Sequence, residues 1–277
     1  MDIKDYLCKY SMISYNNNNV MKKYIIDLKV VENRRIHELY TLLIMTPIDG
    51  SPLPAMLPGQ FVQVAVDGSK TTFLRRPISI NNVDRDNNHL WLLVRNAGEG
   101  TRALMALKAD DNVNVVLPLG NSFGMPFSVN DKILLVGGGV GVAPMLYWGA
   151  QLKAKGFTPQ FLIGARSAKD VLQLEKFEKI GKVYVSTEDG TMGEKGLVTT
   201  NAVLASKIDK IYCCGPAPMM KAIAKVAKEN AIDCEVSLEN MMACGLGACL
   251  CCVENTVKGN VCVCTEGPVF NINELTW

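Results

Sequence analysis

An antiparallel β-barrel, a parallel-sheet α/β domain and a cysteine-rich terminal loop are what this 277-residue chain predicts. Three observations carry that expectation. Between residues 22 and 123, six short β-rich runs are separated by turn formers, the pattern of an antiparallel barrel. After Phe123 strands alternate with helices, which implies a parallel sheet covered on both faces. Residues 238–277 hold a cluster of cysteines and little else that could form a core, so a bound metal is expected to organise them.

Composition bounds what the chain can be. Its length suits two domains plus an appendage, and 48% hydrophobic with 20% charged residues is globular rather than disordered. A net charge of +2 with no Lys/Arg run gives no footprint for nucleic acid. The longest apolar stretch, Ile133 to Val136, is far too short to span a bilayer. Met1-Asp2-Ile3-Lys4-Asp5 is polar and has no signal-peptide character, so a cytoplasmic location is expected. With only His37 and His89 present, a histidine-based hydrolase is excluded.

Residues 1–21, with Asn16-Asn17-Asn18-Asn19, read as a tail. The barrel domain, 22–127, is assigned strands at Tyr24–Val31, Leu39–Thr46, Gln60–Val66, Pro77–Asn81, Leu90–Arg95 and Asn112–Pro118. Asp49-Gly50-Ser51-Pro52, Asp67-Gly68-Ser69 and Asn81-Asn82-Val83-Asp84 supply turns, and Thr101–Lys108 a single helix. In the α/β domain, 128–237, strands are expected at Lys132–Val136, Gln160–Ile163, Lys182–Thr187, Lys210–Cys213 and Asp233–Ser237. Helices are expected at Ala143–Lys155, Leu172–Ile180, Val198–Ser206 and Pro218–Asn230. Residues 238–277 form the terminal subdomain.

Cys244, Cys249, Cys252 and one of Cys262 or Cys264 follow the C-x4-C-x2-C…C spacing of plant-type [2Fe-2S] sites. Thiolates suit a soft, electron-rich cluster, and Gly245 and Gly247 let the loop aim backbone N–H groups at its sulfurs. Zinc also accepts four cysteines, but usually from paired knuckles on both sides. Cys8, Cys213 and Cys234 read as small buried or loop residues, and Cys251 as a neighbour that does not ligate.

Leu74-Arg75-Arg76-Pro77-Ile78-Ser79 enters a barrel strand, where an arginine fork suits a pyrophosphate and a serine hydroxyl a ring nitrogen. Leu93-Val94-Arg95 leads to Gly98-Glu99-Gly100-Thr101 at a helix start, which can offer N–H groups to phosphate. Together these pieces read as a flavin site. Gly137-Gly138-Gly139-Val140-Gly141 follows the first strand of the second domain, where glycines let backbone approach a dinucleotide. The G-x-G-x-x-G pattern is imperfect: the sixth position from Gly139 is Pro144, and no acidic residue closes the next strand, which ends Gly164-Ala165-Arg166-Ser167. Cys214-Gly215-Pro216 lies at the carboxyl edge of the same sheet, with Cys214 a candidate contact for the nicotinamide.

The Arg-Pro-x-Ser barrel, the Gly-rich domain with Gly-Ala-Arg-Ser and the Cys-Gly-Pro loop resemble the ferredoxin–NADP reductase superfamily over residues 22 to about 237. Met242-Ala243-Cys244-Gly-x-Gly-Ala-Cys249 and Glu266-Gly267-Pro268-Val269-Phe270 resemble the electron-transfer subunits of type B, NAD-linked dihydroorotate dehydrogenases. That resemblance implies FAD on the barrel at Arg76, Pro77, Ile78 and Ser79, with Leu93, Val94, Arg95, Gly100 and Thr101. It implies NAD on the α/β domain and a [2Fe-2S] cluster in the terminal loop, with Cys264 as fourth ligand. Ile78 stands where many reductases of the superfamily carry Tyr, although the dihydroorotate branch also lacks it.

Hydride carries two electrons and an iron–sulfur cluster one, and a flavin converts between them. No residue set here suits deprotonation of a small organic acid. The resemblance therefore implies an FMN-bearing dihydroorotate dehydrogenase partner, in a two-plus-two heterotetramer serving pyrimidine (UMP) synthesis. Electrons would run from FMN to the cluster, then FAD, then NAD+. The rival readings are a similarly built subunit of a sulfite reductase, hydrogenase or ferredoxin:NADP transhydrogenase, and a zinc-stapled binding module.

Overall fold

Alternating apolar residues close the barrel. In the computed structural model, which describes residues 22–67, 69 and 71–277, β1 (Tyr24–His37) pairs antiparallel with β2 (Tyr40–Pro47). β3 (Phe61–Val64), β4 (Arg76–Asp84) and β5 (His89–Arg95) follow, then α1 (Glu99–Met105) and β6 (Asn112–Leu119). The strand order β1-β2-β5-β4-β3-β6 closes because β6 pairs back on β1. Leu28, Val30, Leu43, Met45, Leu90, Leu92, Val94, Val113 and Val115 fill the interior at the period of two expected of strands. The expected tail at 1–21 and Cys8 lie outside the described residues.

The second unit is built on β7 (Ile133–Gly138), α2 (Val142–Ala154), β8 (Gln160–Ala165), α3 (Leu174–Glu178), β9 (Lys182–Thr187) and β10 (Glu194–Lys195). It continues through β11 (Lys210–Cys214), α4 (Ala217–Glu229) and β12 (Asp233–Ser237). α4 buries Met220, Ile223, Ala224 and Ala227, the single stripe of a surface helix. α2 is buried nearly all round, from Val142 to Gly149 and again at Leu152, because it lies between the sheet and the barrel. Its Tyr147 hydroxyl donates to Met56 O of the barrel at 2.9 Å. Asn81 on β4 donates to Ala143 O at 3.1 Å and exchanges two amide hydrogen bonds with Gln173 at 3.1 and 3.0 Å.

The terminal segment departs from expectation. It folds β13 (Val253–Thr256) and β14 (Gly259–Cys262) into a hairpin, then α5 (Val263–Glu266) and β15 (Val269–Asn271). β15 adds antiparallel to β12, so the sheet runs β10-β9-β8-β7-β11-β12-β15. Val263, Phe270, Ile272 and Leu275 are buried in the same core as Ile211 and Ile223, so this segment does bring apolar packing of its own. Asn121 clamps it to the barrel end, its N–H and side-chain amide donating to Gly267 O and Glu266 O at 2.6 and 2.7 Å.

Other differences are local. Asn81-Asn82-Val83-Asp84 is not a turn but the end of β4, since Asn81 is buried with side-chain partners; the turn comes at Arg85 to Asn88. The helix expected at Thr101–Lys108 begins at Glu99 and ends at Met105. Leu172–Ile180 is helical only over Leu174–Glu178. Val198–Ser206 is two 3-10 turns, Val198–Thr200 and Ala202–Ala205, interrupted where Asn201 turns its side chain to cap Val203 N–H. A buried lysine appears where sequence suggested only strand: Lys210 Nζ lies 2.6 and 2.9 Å from Asp233 and Glu235, which compensate its charge.

Candidate cofactor and cluster site

Two adjacent arginines at the entry to β4 have different duties. Arg75 donates to Asn114 O at 2.8 Å and to Asn114 Oδ1, tying the strand entry to β6. Among the described residues Arg76 makes only a 3.5 Å contact with Arg75 O, and its guanidinium lies across the start of α1. A Cβ built on Gly100 would sit 2.4 Å from Arg76 Nε and 3.0 Å from Thr72 Cγ2. The glycine thus lets the arginine and the helix start form one cradle, which fits a pyrophosphate. The Thr101 side chain serves the turn, which leaves the expected role of its backbone N–H untouched. Its hydroxyl accepts from Ala97 and Gly98 N–H at 2.8 and 3.1 Å and donates to Gly98 O, so it shapes the turn. Glu99 holds the preceding loop by accepting from Thr71 and Ser69, hydrogen bonds that lower its carboxyl pKa.

Pro77, Ile78 and Ser79 are half-buried on β4, where their ladder partners are Gln63, Val62 and Phe61. Leu93 and Val94 are fully buried, Val94 inside the barrel and Leu93 against Tyr40 in the neighbouring core. Only their backbone can face a ligand. Arg95, next along β5, is exposed.

The glycine run and the Cys-Gly-Pro loop meet at the carboxyl edge of the sheet. Strand pairing places Cys214 opposite Gly137. A Cβ on Gly141 would lie 2.4 Å from Cys214 O, and one on Gly138 would lie 2.5 Å from Met219 Sδ. Gly139, at φ +55°, is the open member: the nearest atom to its Cβ position is the Tyr40 hydroxyl, at 3.6 Å. Gly215 abuts Gly138 and tolerates no side chain, while Pro216 caps α4. This is the crevice in which open α/β sheets bind dinucleotides.

Glu239 escaped the sequence reading. It follows β12 at the same carboxyl edge, with Oε1 3.9 Å from Cys214 Sγ. Crowding by protein raises its carboxyl pKa, opposed by Arg95, although its side chain keeps a face to solvent. Cys214 itself is fully buried, and burial holds its thiol well above the ordinary range, so it is no nucleophile. The signal for Glu239 was its position just past the last parallel strand, which the sequence had already placed at Asp233–Ser237.

The cysteine loop brings backbone N–H donors up to its thiols, although among the described residues no three His, Cys, Asp or Glu side chains are gathered closely enough to hold a metal ion. Burial would push the Cys244 thiol up, but the N–H groups of Leu246, Cys249 and Ala248 and the Cys249 side chain bring it down to about 6. Leu246 N–H lies 3.3 Å from Cys244 Sγ, and Gly247 N–H 3.1 Å from Cys264 Sγ. Cys264 N–H lies 3.4 Å from Cys252 Sγ. Burial, with Cys252 alongside, holds the Cys264 thiol up at about 12. Gly245 and Gly247 adopt φ +71° and +82°, the left-handed curl that turns these N–H groups inward. Backbone donors aimed at sulfur fit an anionic iron–sulfur cluster. Cys251 is exposed, whereas Cys213 and Cys234 are buried in the sheet.

The loop rests on the barrel through Gln63. This side chain is fully buried, its Nε2 is 3.4 Å from Ala243 O, and its Oε1 has no hydrogen-bond partner among the described residues.

A thiol-lined loop on one side of a barrel strand and a dinucleotide crevice beyond it define an NAD-linked iron–sulfur oxidoreductase. Residues 239–276 match the iron-sulfur cluster binding domain of dihydroorotate dehydrogenase B, and 135–225 the oxidoreductase NAD-binding domain. The chain belongs to the family of dihydroorotate dehydrogenase B (NAD+) electron transfer subunits. The subunit of Lysinibacillus sphaericus (strain C3-41) is 38% identical over 88% of this chain and 95% of its own length. That of Bacillus cereus (strain Q1) is 40% identical over 79% and 86%. Among solved structures, the NADH-dependent reduced ferredoxin-NADP oxidoreductase, described for flavin-based electron bifurcation, superposes with TM-score 0.80. It is 28% identical, with 90% of each chain covered. The Amycolatopsis cytochrome P450 reductase GcoB gives 0.64 at 25% identity, over 75% of this chain and 66% of that one.

Proposed function

We propose that this chain carries electrons between an FMN-bearing dihydroorotate dehydrogenase subunit and NAD+, using a [2Fe-2S] cluster and FAD as way stations. The observation that carries the reading is the position of Gln63. Its side chain meets the cysteine loop at Gly245, and its backbone is the ladder partner of Pro77 on the flavin strand. One barrel strand therefore separates the thiols from Arg76-Pro77-Ile78-Ser79.

FAD and the cluster, when bound, supply the exchange between paired and single electrons. The residues do the rest. Arg76 and the Gly100 cradle take the pyrophosphate, and Ser79 addresses the flavin ring. Gly138, Gly139, Gly141, Cys214, Gly215 and Pro216 shape the nicotinamide crevice. Cys244, Cys249, Cys252 and Cys264 hold iron. No helix among the described residues is long and apolar enough to cross a membrane. A cytoplasmic location and a two-plus-two assembly belong to this proposal. Met241, Leu246 and Leu250, exposed at 82%, 48% and 65% beside the thiols, supply the apolar surface such a partner would cover.

The test is an anaerobic absorption spectrum with iron, zinc and flavin counted on the same sample, followed by mixing with the FMN-bearing subunit and dihydroorotate. Reduction of the iron signal, followed by NADH formation, is the expected result. A colourless zinc protein would overturn the reading. A coloured protein that ignores dihydroorotate but accepts electrons from ferredoxin would move it to the transhydrogenase class.

A further inference from the structure

No acidic residue closes β8 in the sequence, yet the fold brings one to its end. Past Ala165 the chain makes a 3-10 turn over Ala168–Asp170, with Asp170 N–H on Ser167 O at 2.9 Å. The turn carries the Asp170 carboxylate back to the strand end, where its side chain is only 6% exposed. β8 lies beside β7, with Gly164 opposite Gly138 of the glycine run. In sheets of this kind the glycine run takes the pyrophosphate, and the carboxyl end of the neighbouring strand reads the adenosine ribose. A carboxylate there suits a free 2′-hydroxyl, and an arginine suits a 2′-phosphate. This chain has both, as an ion pair.

Asp170 engages the two side chains that a 2′-phosphate would need. Its Oδ1 lies 3.6 Å from Arg166 Nη2, and its Oδ2 accepts from the Ser167 hydroxyl at 3.0 Å. Oδ1 is buried and has no hydrogen-bond partner among the described residues, so its charge rests on the guanidinium. Drawing Arg166 away to a phosphate would leave a buried carboxylate unpaired, which is costly. Ser167 has already given its proton to Asp170. It presents only acceptor lone pairs, which suit a ribose hydroxyl and not a phosphate.

The rest of this edge adds no surplus of positive charge. Asp189 N–H donates to Arg166 O at 3.2 Å, and its carboxylate accepts from the Thr191 hydroxyl at 2.7 Å. That hydroxyl accepts in turn from Ala168 N–H at 2.8 Å, so the loop after β9 is fixed against the turn after β8. The nearby lysines, Lys169 and Lys195, stand against Glu188, Asp189 and Glu194, all of them exposed.

We propose that Asp170 sets the choice of dinucleotide: by holding Arg166 and Ser167 it admits a free adenosine 2′-hydroxyl and turns away a 2′-phosphate. It acts through its two neighbours and is a positioning residue. This rests on the dinucleotide reading of the crevice.

The test is calorimetric titration of the purified full chain with NAD+ and, separately, with NADP+. Wild type is expected to bind NAD+ the more tightly. Asp170→Asn keeps the shape and an acceptor for Ser167 but frees the guanidinium. It should bind NADP+ about ten-fold more tightly than wild type, with affinity for NAD+ nearly unchanged. R166A/D170N should lose that gain. An unchanged ratio in Asp170→Asn would overturn the assignment, and so would a gain that survives in the double variant. A wild type that prefers NADP+ would overturn it while leaving the crevice reading intact, whereas a wild type that binds neither would overturn both. Should Asp170→Asn fail to fold, Ser167→Arg keeps Asp170 and adds a guanidinium that one carboxylate cannot also neutralise. That variant should gain affinity for NADP+, and no gain would sink the assignment.

Discussion

Gly245 of the cysteine loop lies directly against Gln63 of the barrel: a Cβ on the glycine would sit 2.8 Å from Gln63 Cγ and 3.1 Å from Leu119 Cδ1. Gly245 also holds φ +71°, a conformation that L side chains rarely adopt. Steric space and backbone geometry therefore demand glycine for separate reasons. Together they press the thiols onto the strand beside Pro77.

Gly245→Ala is accordingly expected to lower iron per chain several-fold while flavin per chain stays near wild type. The left-handed strain is about 1–2 kcal/mol, and the contact with Gln63 adds to it. Metal analysis beside flavin absorbance on one sample checks the split. Equal loss of both would show that the glycine supports the whole fold.

The neighbouring arginines should separate in the same way. Arg76→Ala is expected to strip flavin and leave the melting temperature of the flavin-free chain nearly unchanged. Arg75→Ala should destabilise that chain by roughly 1.5–3 kcal/mol, the scale of hydrogen bonds made by a charged group. Flavin occupancy and thermal melts of both variants decide it.

Tyr147 gives the chain an alkaline signature. Burial raises its phenol pKa to about 12, against a smaller opposing effect of Arg85. An unfolded tyrosine loses its proton near 10. Between those values the unfolded chain binds fewer protons than the folded one, so stability falls as pH rises and the loss is complete above about 12. Its size is roughly 3 kcal/mol for a shift of about two units. Tyr147→Phe should flatten this part of the stability curve, and it should cost about 1 kcal/mol at neutral pH through the lost bond to Met56 O. Denaturant melts at a series of pH values measure both.

Removing iron with a chelator should leave the barrel and the sheet intact. β15 is held by pairing with β12 and by Phe270 and Ile272, independently of the thiols. Far-UV circular dichroism is expected to change little, with hydrogen exchange rising only across residues 240–267. Exchange spreading into β11 and β12 would contradict this.

Much of the fold was legible because local pattern and tertiary role agree. β9 and β12 fall at the expected residues, and the barrel strands within about three positions except β1, which runs six residues past Val31 to His37. Asn81 was misread because its partner Gln173 lies far along the chain, and a buried amide pair looks like turn chemistry in sequence. Val198–Ser206 has helical composition, but Asn201 diverts its side chain to a local cap. The cysteine spacing and the Arg-Pro-x-Ser entry were visible as chemistry. The division of labour between Arg75 and Arg76, the seat of Gln63 and the place of Glu239 depend on contacts between distant strands, which no local pattern encodes.

The burial of α2 along its first two turns has a consequence for access. A helix packed between sheet and barrel, with Tyr147 bonded across and Asn81 bonded to Gln173, ties the two halves to each other. Relative domain motion is the ordinary expectation where an interface is small and polar, and here a largely buried helix crosses it. Any opening of the nicotinamide crevice between the halves must therefore break these contacts first. The spacing between barrel and sheet is thus held by the same helix that begins at the glycine run.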